Sequence, residues 1–285
     1  FQAVKGHILS SGATTVVLVD YPGFNLRMAK WAKAQGLHVV YYIPPKVWAW
    51  KSGRAQILKE HCDAILGILP FEQQWYADRA ISYTYVGNPL AQKYAGMNGY
   101  ASGGSIALLP GSRAQEIARL LPEFIAVAQS MPEQTFVLIR SQSSVPVWPD
   151  RSLPANVEVF TGELKDGIKH CAAALVCSGT ATLEVALLGV PQLVVYRANP
   201  ISLAIAKRFV KISYFSLPNL ILDAAALPEL LQENARAEAL VQRLGALLLD
   251  PSAQLDAYAQ LRQLLEQKDP AASAAQPILT IASQS

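Results

Sequence analysis

Short apolar runs alternate along the chain with segments whose apolar residues return every three to four positions, and small-residue turns stand between them. The runs predict strands over 14–19, 37–42, 64–68 and 83–86, and again over 106–109, 136–140, 157–160, 174–176 and 192–195. Helices are predicted between them, including 24–35 and 71–77, and further on over 201–211 and 235–267. Alternation of this kind builds parallel sheets flanked by helices, an α/β architecture. The stretch 91–105, with Gly96, Gly99, Gly103 and Gly104, breaks the alternation and reads as a linker. Two Rossmann-like domains are therefore expected, over 1–98 and 103–267, with the last helices able to pack back on the first. The Ala/Ser/Pro-rich residues 268–285 read as a loose tail.

Composition narrows the partners. The 285 residues are 52% hydrophobic and 16% charged, enough apolar material for two cores. A net charge of +3 is too mild to argue for nucleic acid, while it suits a protein working beside anionic lipid. No apolar stretch reaches the roughly 18–20 residues a spanning helix needs. Cys62, Cys171 and Cys177 lack metal-ligand spacing and fit structural thiols, and the four histidines are scattered, so no metal site is expected.

Two junctions carry the candidate chemistry. The run 172–177 feeds Ser178-Gly179-Thr180-Ala181 and then an apolar helical segment, which presents uncapped backbone N–H groups and a positive dipole end to an anion. Upstream, 106–109 runs into Pro110-Gly111-Ser112-Arg113 and an amphipathic helix. Arg113 at that lip can make paired hydrogen bonds to a phosphate or a flat base, or it can be a surface residue paired with Glu116.

These residues bring a family into view. Leu109 to Arg113, Ser178 to Glu184, Val195-Tyr196-Arg197 and Ser216-Leu217-Pro218-Asn219 follow the order seen in lipid-A-disaccharide synthases. The front half agrees, through Val19 to Asn25, Pro45 to Trp50, Leu69-Pro70-Phe71-Glu72 and Val86 to Leu90. The chain resembles that family from about Val16 to about Gln232. The resemblance implies a GT-B glycosyltransferase whose donor is UDP-2,3-diacylglucosamine and whose acceptor is 2,3-diacylglucosamine 1-phosphate, giving UDP and a β-1,6-linked disaccharide 1-phosphate. It also implies work at the cytoplasmic face of the inner membrane of Gram-negative bacteria, with no metal and no other cofactor. Family members open with a further strand and an acidic Gly/Ser-rich turn, so the first domain is expected to be truncated and the chain to turn over poorly.

Given that resemblance, Asp20 at the end of an apolar strand is the candidate base for inverting transfer; as a residue before a helix it equally suits a cap. On the donor side, Gly111, Ser112, Arg113, Ser178, Gly179, Thr180 and Ala181 would meet the diphosphate, and Glu184 the ribose hydroxyls. Arg197 and Asn219 could touch the donor or hold structure. Asn25, Trp48 and Trp50 are placed on the acceptor and acyl-chain side, Trp beside Lys46 and Lys51 having the composition of a membrane-interface contact, although one Trp could equally fill the core. The basic, apolar segment 201–215 invites the same two readings. Rival functions are another UDP-sugar GT-B enzyme, such as a peptidoglycan glycosyltransferase or a UDP-sugar epimerase, and a UDP-binding fragment without catalysis.

Overall fold

A computed structural model describes residues 1–49, 52–140, 152–197, 213–266 and 268–283. The chain divides into two compact units, one formed by 1–92 with 264–283 and the other running through 93–197 and 213–263.

The first unit holds a four-stranded parallel sheet in the order β1-β2-β3-β4, from β1 (Thr15–Val19), β2 (His38–Tyr42), β3 (Ala64–Gly67) and β4 (Thr84–Tyr85). Helices α1 (Gln2–Ser10), α2 (Pro22–Ala34), α3 (Arg54–His61), α4 (Glu72–Ala77) and α5 (Pro89–Lys93) connect or flank these strands. One core lies under α2 and α3, with Met28, Ala29, Ala32, Val39, Tyr41 and Leu58 sealed from solvent. That many methyl groups removed from water, at about 0.8 kcal/mol for each buried CH₂, is what holds two helices on so small a sheet.

The second unit holds six parallel strands: β5 (Tyr100–Leu109), β6 (Phe136–Arg140), β7 (Val157–Thr161), β8 (Cys171–Cys177), β9 (Gln192–Tyr196) and β10 (Glu229–Leu231). Their spatial order is β10-β9-β8-β5-β6-β7. Succession runs outward from β5 through β6 to β7, then returns to β8 on the other side of β5. The gap between β5 and β8 is thus the point where strand order reverses, the place where open α/β sheets bind ligands at their carboxyl ends. All seven residues of β8 are buried, as a central parallel strand covered on both faces requires. Helices α6 (Ala114–Ser130) and α10 (Ala237–Leu249) cover one face, α6 burying Ile117, Leu120, Leu121, Phe124 and Ala128 along one stripe. The remaining elements are α7 (Leu164–Gly167), α8 (Thr180–Leu187), α9 (Leu217–Leu222), a 3₁₀ turn at Gln232–Asn234 and α11 (Ser252–Leu265).

Three expectations are corrected. The glycine-rich stretch is not a linker throughout: 100–105 is the start of β5, bulged so that Tyr100 and Ser105 both face Cys171. Gly104 is there for close approach, since a Cβ on it would lie 1.9 Å from the His170 carbonyl oxygen. The supposed tail contains α12 (Pro270–Ala282), capped by Asp269, whose carboxylate accepts from the Ala271 and Ala272 amides. Its Ala274, Ile278 and Ile281 cover Val40, Leu66 and Val86, a second core of the first unit. The predicted helix 235–267 is two helices, α10 and α11, broken at Asp250 and Pro251. The segment 201–211 lies outside the described residues.

Candidate functional site

In the second unit, Leu109 lies opposite Val176, so the turn after β5 and the turn after β8 stand side by side at the carboxyl edge. Gly111 has φ +113°, and a Cβ there would lie 2.6 Å from Glu116 Oε2. Only glycine lets the turn close over that carboxylate. Glu116 accepts from the Ser112 and Arg113 amides at 3.1 and 3.2 Å and from Arg113 Nη1 at 2.7 Å, a box that caps α6. Arg113 is therefore paired with Glu116, and its side chain remains 81% exposed. The pairing aligns the guanidinium at the lip and leaves most of it facing solvent.

At the neighbouring turn Gly179 begins α8 with no side-chain cap. The Thr182 amide and hydroxyl both turn back onto the Gly179 carbonyl, while no described residue accepts from the Gly179, Thr180 or Ala181 amides. Those donors and the dipole end point out of the sheet edge. Glu184, one turn along, receives the hydroxyl of the buried Tyr94 on Oε1 at 2.8 Å. Burial and that carboxylate both raise the Tyr94 pKa, so the phenol stays a donor. Oε2 of Glu184 accepts from no described residue.

The remaining donor-side candidates make contacts within the unit. Ser178 Oγ donates to the Phe215 carbonyl at 2.9 Å. Asn219, 1% exposed, spends its amide on both polar groups of Leu227 and on Glu229. Ser216-Leu217-Pro218-Asn219 is the N-cap and first turn of α9. Glu229 gathers this region: its carboxylate accepts from the Phe215 and Ser216 amides, the Ser216 hydroxyl and Asn219 Nδ2 at 2.7 to 2.9 Å. Arg197 makes an ion pair with Glu123 of α6, which also receives the Ala237 amide at the start of α10. No local pattern in the sequence marks Tyr94 or Glu229, whose partners lie 90 and 10 to 14 positions away.

In the first unit Asp20 follows β1 with φ +47°, and Tyr21 with φ +41°. Two successive left-handed residues cost roughly 1–2 kcal/mol each. The bend is held by four hydrogen bonds: Asp20 N to the Tyr42 carbonyl, Asn25 Nδ2 to the Val19 and Asp20 carbonyls, and Tyr41 Oη to the Asp20 carbonyl. Tyr21 is the N-cap residue of α2, and no side chain makes a cap hydrogen bond there. Asp20 is thus fastened by its backbone while its exposed side chain is left without a capping role. Asn25, expected on the acceptor side, is 8% exposed and gives its Nδ2 to that backbone.

Trp48 is half-buried, edge-on to Phe71 at 5.0 Å, with Nε1 donating to Glu72 Oε1 at 2.8 Å. Glu72 Oε2 receives Tyr83 Oη at 2.6 Å. Glu72 is 2% exposed, and desolvation pushes its pKa up to about 7 against the hydrogen bonds from Tyr83 and Trp48 and the Lys46 charge. Trp50 lies outside the described residues. Among them, no group of three His, Cys, Asp or Glu side chains could hold a metal, and burial raises the thiol pKa values of Cys62, Cys171 and Cys177.

Two parallel α/β units, the second with its strand order reversing where two strand–turn–helix junctions stand side by side, define the GT-B glycosyltransferase class. Solved structures agree at the level of fold: a spinosyn rhamnosyltransferase in complex with thymidine diphosphate superposes with a TM-score of 0.66 at 16% identity, covering 96% of this chain and 75% of that one. A UDP-GlcNAc 2-epimerase from Neisseria meningitidis bound to UDP-GlcNAc gives 0.61 at 12% identity, covering 90% and 74%. The family model for lipid-A-disaccharide synthetase matches residues 1–280. Lipid-A-disaccharide synthases of Pseudomonas entomophila and Trichlorobacter lovleyi are 36% and 35% identical over 281 and 269 residues, which is 92% and 88% of this chain and 74% and 70% of those proteins. The chain belongs to the lipid-A-disaccharide synthase family.

Proposed function

We propose that the second unit binds the UDP-diacylglucosamine donor at the paired turns, and that Asp20 of the first unit is the base for transfer to an acylated glucosamine 1-phosphate. The acceptor's 6-hydroxyl oxygen forms the new bond to the anomeric carbon as the bond to the diphosphate breaks; UDP leaves, and the hydroxyl proton goes to Asp20. Attack opposite the leaving group inverts the anomeric centre. The amides of Gly179, Thr180 and Ala181 take the diphosphate charge, Glu184 accepts from the ribose, and Arg113 adds a cation at the lip. The observation that carries the reading is the coincidence of two strand–turn–helix junctions, the second with uncapped amides, with the reversal of strand order.

Because substrates of this class carry acyl chains, the reading places the protein at a membrane surface, and the family resemblance implies the cytoplasmic face of the inner membrane. No described helix is long and apolar enough to cross a membrane. The epimerase alternative shares the fold alone, whereas the family match covers nearly the whole chain.

Calorimetry of UDP binding in EDTA tests the donor assignment. Binding is expected without metal, and Glu184→Ala and Arg113→Ala should each weaken it by about 1–3 kcal/mol, the cost of a hydrogen bond involving a charged group. Unchanged affinity in both variants, or absolute dependence on magnesium, would overturn it.

A further inference from the structure

Tyr94 lies outside every motif that carries the family resemblance, yet it is buried and its hydroxyl donates to Glu184 Oε1 at 2.8 Å. Phenylalanine would fill the same space, so the hydroxyl calls for a reason of its own. The stretch that Tyr94 begins, in the turn after α5, is fastened to α8. The Gly99 amide donates to the carbonyl of Leu188, the C-cap residue of α8, at 2.7 Å. Arg262 of α11 donates through Nη2 to the carbonyls of Met97 and Leu187. Gly189, just past the helix with φ +76°, lets Asn98 come close, since a Cβ there would lie 2.7 Å from Asn98 Oδ1. Residues 97–99 thus hold the far end of α8, and Tyr94 reaches its middle. All of these residues belong to the second unit.

A glutamate side chain has three rotatable torsions, and nothing in a helix of eight residues selects one rotamer for it. Among the described residues Tyr94 is the single side chain that donates to the Glu184 carboxylate. The phenol has one hydrogen to give and, sealed from solvent, no water to give it to. Its ring is held by packing and cannot follow a wandering carboxylate. Fixing Oε1 on this anchor also fixes Oε2, because the carboxylate is planar, and Oε2 is the oxygen that accepts from no described residue.

We infer that Tyr94 is a positioning residue for nucleotide recognition: it holds the Glu184 carboxylate in one rotamer, so that Oε2 is already aimed when the ribose hydroxyls arrive. This rests on Glu184 being the ribose acceptor. Tyr94 itself touches no substrate. A carboxylate ordered beforehand does not have to be immobilised on binding, and the difference appears as affinity for ligands that carry the hydroxyls. The donor on Oε1 also offsets part of the negative charge that Glu184 brings to a helix whose first amides face an anion.

The test is Tyr94→Phe in the full chain, by calorimetry in EDTA with UDP and with 2′,3′-dideoxy-UDP, which keeps the base and the diphosphate and lacks both ribose hydroxyls. Phe retains the buried ring. The parent is expected to prefer UDP by about tenfold or more, the ratio that a hydrogen bond to a charged acceptor gives. Tyr94→Phe should bind UDP about three- to tenfold more weakly and dideoxy-UDP as the parent does, so that the preference shrinks by the same factor. Glu184→Ala should erase the preference, and Tyr94→Phe added to Glu184→Ala should weaken UDP no further. An unchanged preference in Tyr94→Phe overturns the inference, as does equal weakening of both ligands or the same weakening with and without Glu184, which would mean that Tyr94 acts through the fold. A preference that survives Glu184→Ala removes the ribose reading of Glu184 and the inference with it, whereas one lost in Glu184→Ala but intact in Tyr94→Phe removes the inference alone. ¹³C relaxation of the Glu184 side chain, assigned by its loss in Glu184→Ala, tests the same point in the parent: the side chain is expected to be as rigid without UDP as with it, and one that is mobile until UDP binds overturns the inference.

Discussion

Glu229 offers the sharpest energetic test of how the donor turn is supported. Its carboxylate collects four donors, two of them the backbone amides of Phe215 and Ser216, and Ser216 is fully buried. In Glu229→Ala the Asn219 amide keeps its bond to Leu227 and the serine hydroxyl can rotate, but the two amides have nothing to replace the carboxylate. A hydrogen bond to a charged acceptor is worth about 1.5–3 kcal/mol, so the loss should come to about 3–5 kcal/mol. For a unit of this size each kcal/mol moves the melting midpoint by roughly 2–4 °C, which places the fall near 10 °C. Glu229→Gln retains one acceptor oxygen but turns an amide donor toward a donor, and should cost about half as much. Because Ser178 is tied to the Phe215 carbonyl, loosening this segment also loosens the turn at 178–181, and UDP affinity should fall several-fold in the Gln variant. Calorimetric melting with UDP titration measures both. If Glu229→Ala melts within a degree or two of the parent, Glu229 does not hold the α9 cap and the reasoning is refuted.

In an enzyme that turns over, Asp20→Asn is expected to lower kcat by roughly 10²- to 10⁴-fold with little change in UDP affinity; near-normal turnover would leave Asp20 only its backbone role. Removing residues 268–285 should uncover Val40, Leu66 and Val86 and destabilise the first unit by about 3–5 kcal/mol, seen as hydrophobic-dye binding and a lowered melting midpoint. An unchanged melt would mean that α12 adds nothing to that core.

The central strands were legible because a parallel strand buried on both faces must be a continuous apolar run, as Cys171–Cys177 is. The turns at 110–113 and 178–181 were legible as strand-to-helix junctions, since glycine and serine there interrupt the apolar run before a helix starts. What escaped notice depended on partners far away in sequence. Glu229 sits in a strand of three residues, too short to show a period, and its four donors come from ten or more residues earlier. Tyr94 meets Glu184 across 90 positions. Helix α12 hid behind an Ala/Ser/Pro composition, though Asp269 before Pro270 is a start signal and Ile278 and Ile281 share a face. Glu72 stood within a motif that carried the family resemblance, but its burial comes from Trp48 and Tyr83, which no local pattern reveals. Arg197 and Asn219 read equally as ligand-binding or structural from sequence; Leu227 and Glu229 take both polar atoms of the Asn219 side chain, while Glu123 takes one nitrogen of Arg197.

The account stands or falls on where UDP binds. Amide hydrogen exchange, resolved residue by residue with and without saturating UDP in EDTA, measures this directly. The account predicts protection of the Gly179, Thr180 and Ala181 amides, whose donors have no acceptor among the described residues, together with slower exchange at Ser112 and Arg113. Bound UDP that leaves these five amides exchanging as before would contradict it.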